Sequence, residues 1–495
     1  MHVVLWNTRK LGAAKEFAGG FGVGPYPGRR GLRDWLIRRF FRTDRLPAPL
    51  LYAHLAAIFA RLGHRVEYVE DRLPRGADLH VFCPSLVTLQ LEQQVIAELR
   101  QNQPSARVLV VGLVASVLPE AFDGLGATVV RGEAEQLLWK LDDVLSYPDS
   151  TVQLGLIEDL DRLPPPDWSP LRPRRFRVGY DFWRFPTSLV QASRGCMMGC
   201  SYCPYIILEH GVRHRSPEAV IEEIRHGVRT CGFRSFKFRD PLFGADAARL
   251  FRLADLLGRL PRPIQFSIET RIELMRPEML RVLKRVGLTS ITVGVETPAA
   301  ETLRRYRRVP VADDQQQTFF ARCRELGIRT VAGFTIGFPE DTEETLRQVR
   351  GYAVALRPTF ANFNVLTPYP GTEFFAQTKE QIADFDFSRY TVYTPLLKYE
   401  HLTAEQVADF HRKCFHRFYF RWAYLRENAG LLWPALRRLG IGRTAKVAAD
   451  ADSPHPGVPK PRGGADLLQR KGLRPDGAHC HGSAADKTSD RRAGS

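Results

Sequence analysis

A chain of 495 residues, 44% hydrophobic and 11% aromatic, can form two or three domains with substantial cores, which excludes wholesale disorder. The net charge of +17 and a pI near 9.7 favour anionic partners: nucleic acid, acidic lipid headgroups or anionic substrates. No charge-free apolar run reaches the roughly eighteen residues of a conventional membrane span, and the opening MHVVLWNTRK lacks a basic leader and reads as a strand, so a cytoplasmic location is expected.

A strand over His2–Trp6 opens the chain. A helix over Pro47–Leu62 stops at Gly63 and hands on to a strand over His64–Val69. A strand over Asp78–Phe82, a helix over Leu89–Gln101 and a strand over Val108–Gly112 follow. Thr128–Val130 then runs into Gly132-Glu133-Ala134-Glu135. Strands alternating with helices predict a Rossmann-like, doubly wound parallel α/β domain over 1–150, with its ligand crevice at the carboxyl ends of the strands. Residues 151–185 carry Pro164, Pro165 and Pro166 and a run of Arg172, Arg174, Arg175 and Arg177, and read as a linker.

A second alternation fills 186–395. Its strands are expected at Ser188–Ala192, Ser235–Arg239, Ile264–Glu269, Ser290–Gly294, Thr330–Thr335 and Phe360–Leu366. A helix over Pro217–Cys231 starts in good order, with Ser216 as cap and Pro217 in the first helical position. Six β/α units describe a partial (β/α)6 barrel of the TIM type. A helical extension follows over 396–447, opened by the capping pair Thr403 and Gln406. Residues 448–495 hold twelve Gly or Pro and no aromatic, and are expected to be a disordered tail.

Three of the eight cysteines, Cys196, Cys200 and Cys203, crowd into one loop with C-x3-C-x2-C spacing. Three thiolates on a tight loop suit an iron–sulfur cluster with one iron lacking a protein ligand. A zinc site completed by His210 or His214 is the alternative. Cys231 and Cys323 fall on helical segments and read as core thiols.

C-x3-C-x-aromatic-C, with Tyr202 as the aromatic, after the first strand of a partial barrel resembles the radical SAM superfamily over roughly residues 185–390. The resemblance implies that Cys196, Cys200 and Cys203 hold a 4Fe-4S cluster whose open iron is chelated by S-adenosylmethionine (SAM). Cleavage of SAM would then yield a 5′-deoxyadenosyl radical. By the same resemblance, Tyr202, Asp240, Arg271, Glu296 and Gly337 are expected around SAM. The stretch Gly333-Phe334-Thr335-Ile336-Gly337 departs from the family's G-x-I-x-G by carrying Thr335.

A doubly wound domain ahead of such a barrel is similar to the cobalamin-binding subgroup, the class B radical SAM methyltransferases. The likeness implies cobalamin contacts at Gly112, Gly132 and Glu133. The D-x-H-x-x-G loop of many cobalamin proteins is absent: Asp78-Leu79-His80 begins it, but no Gly follows in place, so no histidine ligand to cobalt is expected. A Rossmann-like domain without the cofactor is the alternative. Only Cys83 lies in this region, against the three cysteines of the methylthiotransferase branch, and Gly19–Gly24 lacks the Lys-Ser/Thr of a phosphate loop and reads as an entrance loop.

The resemblance implies cobalamin-dependent methylation of an unactivated carbon in a biosynthetic intermediate. A cyclase, rearrangement or oxidation enzyme of the same architecture is the first alternative. A non-catalytic cluster- or zinc-binding protein is the second. The expected partners are a small-molecule substrate of lipid or natural-product type and an electron donor such as flavodoxin or ferredoxin. Basic, aromatic stretches at Arg29–Arg45 and 401–447 suit peripheral membrane contact. No nucleic-acid module accompanies the charge, so nucleic acid is not an expected partner.

Overall fold

The computed structural model describes residues 1–9, 12–28, 31–40, 49–73, 76–176, 185–208 and 211–431. The expected tail, Arg177 and His210 lie outside the described residues. Within them, strand β1 (His2–Asn7) is followed by helices α1 (Gly31–Phe40) and α2 (Leu50–Arg61), then by β2 (Arg65–Glu70) and β3 (Leu79–Phe82). Next come α3 (Leu89–Asn102), β4 (Arg107–Val110), α4 (Leu113–Val117), β5 (Thr128–Arg131), α5 (Leu137–Leu145) and β6 (Thr151–Gln153). The six strands form one parallel sheet in the order β2-β1-β3-β4-β5-β6. Val3 to Trp6 are buried in succession, as a strand covered on both faces requires. The chain leaves β1 for β2 on one side and returns to β3 on the other, so the strand order reverses there and opens a crevice at the carboxyl ends.

The segment expected as a linker is structured. Its first residues form β6, and Leu160, Trp168, Leu171 and Phe176 are buried. Trp168 packs edge-on to Phe176 and Phe233, so aromatic burial outweighs what its prolines suggest.

The second sheet uses β7 (Thr187–Val190), β10 (Ser235–Phe238), β11 (Gln265–Thr270), β12 (Leu288–Glu296), β13 (Arg329–Ile336) and β14 (Phe360–Val365). They run parallel in sequential order, and β7 and β14 are left as edges, which gives the partial six-stranded barrel. A short hairpin, β8 (Ser193–Arg194) with β9 (Arg213–His214), brackets the cysteine loop. Outside the strands lie α6 (Pro217–Cys231), α7 (Ala247–Gly258), α8 (Pro277–Arg285), α9 (Ala300–Arg305), α10 (Asp313–Glu325) and α11 (Glu343–Leu356). Helix α6 begins as its sequence dictates: Ser216 Oγ accepts from Ala219 N at 3.1 Å, and the helix ends at Gly232. Its inner face buries Val220, Ile221 and Ile224, each contributing about 1.5–3 kcal/mol.

After α12 (Glu373–Thr378), helix α13 (Ala404–Tyr419) and α14 (Trp422–Glu427) cover the β14 edge. Tyr419 Oη accepts from Ala361 N at 3.0 Å and donates to Ala361 O at 2.8 Å. The buried His411 ring, held neutral with its pKa pushed down to about 4 by burial, donates Nε2–H to Phe363 O at 2.8 Å. Side chains thus satisfy an edge that would otherwise bind another strand. The segment after β1 reaches across to this half of the molecule. Phe21 stacks on Tyr369 at 4.9 Å, and the fully buried Asp34 of α1 meets His416 Nε2 of α13 at 2.6 Å. Among the described residues, no helix is long and apolar enough to cross a membrane.

Candidate active site

The carboxyl ends of the two sheets face one cleft. Its cavity volume is about 230 Å³, a little below the roughly 300–1,000 Å³ of an ordinary small-molecule site. From the first sheet it is lined by Lys15, Glu16, Gly19 and Gly20 after β1, Leu51 and His54 of α2, Cys83 after β3, Gly112 after β4 and Gly132 to Glu135 after β5. From the second come Gln191, Arg194, Gly195, Pro204, Tyr205, Arg213, Arg239 and Pro241. Both parallel sheets therefore present their ligand-binding ends to the same space.

The cysteine loop leaves β8 at Arg194. Cys196 and Cys200 are buried and Cys203 is half-buried. Burial pushes the Cys196 thiol up and that of Cys203 up to about 12. Met198 N points at Cys196 Sγ at 3.4 Å, Cys203 N donates to Cys200 O at 3.0 Å, and Gly211 N donates to Cys196 O at 3.1 Å. Ser201 fixes the far side, its N donating to Tyr306 O at 3.1 Å and its O accepting from Phe374 N at 3.0 Å. Among the described residues no three His, Cys, Asp or Glu side chains converge tightly enough for a single metal ion. The donor set fits a cluster: three sulfurs on one loop held by backbone hydrogen bonds, with an N–H already directed at a cysteine sulfur.

Of the residues expected around SAM, Tyr202 and Glu296 gather beside the cysteines. Tyr202 packs edge-on to Tyr306 and Phe338, and its hydroxyl is buried without a hydrogen-bond partner. Burial and the Glu296 charge hold that hydroxyl well above its ordinary pKa. Glu296, at φ +68°, accepts from Thr335 Oγ1 and lies 3.5 Å from Arg308 Nη2. The departure at Thr335 thus supplies a hydroxyl that holds Glu296. Arg308 is half-buried and hydrogen-bonds the Cys200 side chain, linking Glu296 to the cysteine loop. Gly337 precedes Phe338 and donates its N–H to Asp341 Oδ2 at 2.8 Å.

Two expected residues are occupied elsewhere. Arg271 pairs with Glu273 and donates to Val309 O at 2.9 Å. Asp240 is fully buried at the end of β10, accepting from Ala192 N at 2.9 Å and Ser193 Oγ at 2.7 Å. Burial lifts its carboxyl to about 6 against those hydrogen bonds. Its acceptors hold the backbone that enters the cysteine hairpin.

On the opposite wall, Gly112 and Gly132 both stand at φ +95°. A Cβ at Gly112 would meet Cys83 Sγ at 2.8 Å, and one at Gly132 would meet Leu154 O at 2.1 Å. Both glycines line the cleft, and their close protein neighbours leave no room for a side chain at either position. Glu133 is engaged in an ionic clamp: it binds Arg194 at 3.0 Å and Arg213 at 2.8 Å, and accepts from Ile157 N at 2.6 Å. Arg194 also binds Glu135 at 2.6 Å. Although burial raises the Glu133 carboxyl, its hydrogen bonds from Arg213 and the Arg194 charge bring it below the usual range. The residue beside Gly195-Cys196 is thereby tied to the first sheet.

Sequence reasoning passed over Glu16, Tyr205, Arg239 and Arg308. Arg239 is buried, pairs with Glu269, donates to Tyr205 Oη at 3.0 Å and Glu16 O at 2.8 Å, and lies over the Phe17 ring. Burial raises the Glu16 carboxyl to about 7. An Arg at the end of a parallel strand was the available signal for Arg239; Glu16 gave none.

Residues 190–353 match the family model described as the Radical SAM superfamily. The chain is 26% identical over 351 residues to the anaerobic magnesium-protoporphyrin IX monomethyl ester cyclase of Cereibacter sphaeroides, covering 64% of this chain and 56% of the cyclase. It is 25% identical over 444 residues to the hopanoid C-3 methylase of Methylococcus capsulatus, covering 79% and 83%. The chain therefore spans little more than half of that cyclase. Among solved structures, the radical SAM methyltransferase TsrM from Kitasatospora setae superposes with a TM-score of 0.56 at 16% identity, covering 78% of this chain and 77% of that one. The cobalamin-dependent enzyme OxsB with aqua-cobalamin bound superposes at 0.60 and 13% identity, covering 90% and 69%. A radical SAM domain uses a 4Fe-4S cluster and S-adenosylmethionine. Residues 190–353 are thus a radical SAM domain, and the two-sheet fold is the one shared with TsrM and OxsB.

Proposed function

We propose that the chain is a cobalamin-dependent radical SAM methyltransferase that methylates an unactivated carbon of an apolar biosynthetic intermediate. One observation carries this reading: Gly195 and Pro204, which flank the three cysteines, and the Gly112 and Gly132 turns of the first sheet line a single cleft. When bound, the cluster supplies the electron that cleaves SAM to a 5′-deoxyadenosyl radical, and cobalamin supplies a methyl carrier. Cys196, Cys200 and Cys203 would hold the cluster, with one iron left for SAM. Tyr202, Glu296 and Arg308 would border SAM, while Asp240 and the Arg194–Glu133 clamp position the loop. Tyr205 lines the cleft, its hydroxyl accepting from Arg239 at 3.0 Å. By their names the cyclase acts on a magnesium-protoporphyrin ester and the methylase on a hopanoid, which supports a lipid or natural-product intermediate as substrate.

Anaerobic, reconstituted protein given reductant and SAM should release 5′-deoxyadenosine, and S-adenosylhomocysteine with it only when cobalamin is added. Both products should vanish in the Cys196/Cys200/Cys203→Ala variant. Deoxyadenosine without S-adenosylhomocysteine would replace methyl transfer by cyclisation, rearrangement or oxidation. Neither product, with flavodoxin, ferredoxin or a chemical reductant as donor, would overturn the enzymatic reading.

The basic, aromatic segments support a cytoplasmic enzyme that docks on anionic lipid. Leu32 and Trp35 of α1 are 71% and 42% exposed, and Trp422 of α14 is 79% exposed. The Arg33 guanidinium lies over the Phe420 ring at 5.4 Å, which brings the two segments to one face. Binding to phosphatidylglycerol vesicles, weakened by salt and by Trp35→Ser with Trp422→Ser, is the expected result. Equal recovery with and without vesicles would overturn it.

A further inference from the structure

We propose that the cleft selects against anions and that Glu16 Oε1 receives a hydroxyl of the molecule bound there, so that the compound methylated is a neutral alcohol and not a phosphate or a carboxylate. The proposal rests on the apolar-substrate reading above and narrows it. A net charge of +17 favours anionic partners for the chain as a whole, but the cleft does not share that excess. Its wall carries four cationic side chains, Lys15, Arg194, Arg213 and Arg239, and each already has a carboxylate. Lys15 pairs with Glu92, and Arg239 with Glu269. Arg194 meets Glu133 at 3.0 Å and Glu135 at 2.6 Å, while Arg213 meets Glu133 at 2.8 Å. Four cations are thus set against four carboxylates. An anion drawn to any of them would displace a partner that is itself wholly or largely buried and leave that partner without a counter-charge.

Glu16 is the carboxyl outside this balance. It lines the same cleft and is half-buried. Its Oε2 accepts from Leu50 N at 2.8 Å, and its backbone O accepts from Arg239 Nη2 at 2.8 Å, so α2 and the end of β10 hold it in place together. The other oxygen, Oε1, has neither a hydrogen-bond nor an ion partner among the described residues. Unlike the Tyr202 hydroxyl, it is not sealed from solvent. A positioned acceptor that is open to the cleft and unmatched in the protein is what a ligand's donor would complete.

The surroundings also indicate the kind of donor. Burial lifts the Glu16 carboxyl to about 7, against the charges of Arg239 and Arg194. Both protonation states are therefore present near neutral pH. A hydroxyl suits either one, donating to the carboxylate and accepting from the acid, whereas an ammonium suits only the first and a phosphate neither.

The test uses the full chain reconstituted anaerobically with cluster, cobalamin and SAM, without reductant, and equilibrium dialysis of three probes. Farnesol, farnesyl methyl ether and farnesyl phosphate share one apolar chain and differ only at its polar end. At about pH 8, above the Glu16 value, the carboxylate is mostly ionised and can only accept. Farnesol should then bind about tenfold more tightly than either the ether or the phosphate, the effect of one hydrogen bond to a charged group. In Glu16→Gln the amide oxygen can keep Leu50 N while the amide nitrogen donates into the cleft. Farnesol and the ether should therefore bind alike, and the phosphate should gain, a change of selectivity that a purely structural role would not produce. Phosphate or ether binding as tightly as farnesol in the parent would overturn the proposal, and so would a parent preference that survives Glu16→Gln. If the variant does not fold, the parent's order of affinities still decides. Binding of none of the three would instead overturn the apolar-substrate reading itself, and the proposal with it.

Discussion

Replacing Asp240 by alanine separates two roles for this carboxylate. Sequence resemblance puts Asp240 beside SAM, whereas the structure has it accept from Ala192 N at 2.9 Å and Ser193 Oγ at 2.7 Å. One donor is the backbone N–H of half-buried Ala192 and the other the side-chain hydroxyl of buried Ser193, both at the mouth of the cysteine hairpin. Truncation leaves two donors unsatisfied at about 1–3 kcal/mol each, so Asp240→Ala should lose roughly 2–6 kcal/mol. Asp240→Asn keeps one acceptor for the same pair and should lose about 1–2 kcal/mol. Anaerobic denaturant unfolding measures the loss, and iron and sulfide content after reconstitution measures the loop. Alanine should lower cluster content in step with stability, and SAM should bind normally to whatever fraction is loaded. A variant with parent stability and full cluster content, but without SAM binding, would refute the positioning argument.

The remaining predictions concern charge and one hydroxyl. Burial lifts Asp240 from 3.8 to about 6, so between those values the native state holds a proton that the unfolded state has lost. Stability should therefore fall as pH rises through that window, by about 3 kcal/mol, and the difference profile against Asp240→Asn isolates the slope; a flat difference would exclude the burial assignment. Arg194→Met strands the buried Glu135 carboxylate, which Arg194 meets at 2.6 Å, and should cost about 3–5 kcal/mol in denaturant unfolding. A loss under about 1 kcal/mol would show that the clamp is dispensable. Thr335→Val removes the hydroxyl that holds Glu296 and should weaken SAM binding about tenfold by equilibrium dialysis, the worth of one hydrogen bond to a charged group. Unchanged affinity would take Glu296 out of the SAM site.

The local elements and the cysteine loop were legible in the chain because they follow from short-range chemistry. Period and capping placed α6 between Ser216 and Gly232, and the C-x3-C-x2-C spacing marked the donor set before any tertiary contact was known. Alternating strands and helices also specified two parallel sheets, because a parallel connection needs a crossover helix. The linker reading of 151–185 missed the packing of Trp168, since proline content reports backbone freedom and not burial.

What tertiary structure alone decided is which side chains already have partners. Glu133 and Arg271 look available in sequence, but long-range ion pairs and carbonyls occupy them. Arg308 reaches Glu296 across the end of β12, and Glu16 meets the amide of Leu50. Spacing along a chain fixes what one loop can bind, whereas hydrogen-bond satisfaction depends on residues brought together from distant segments.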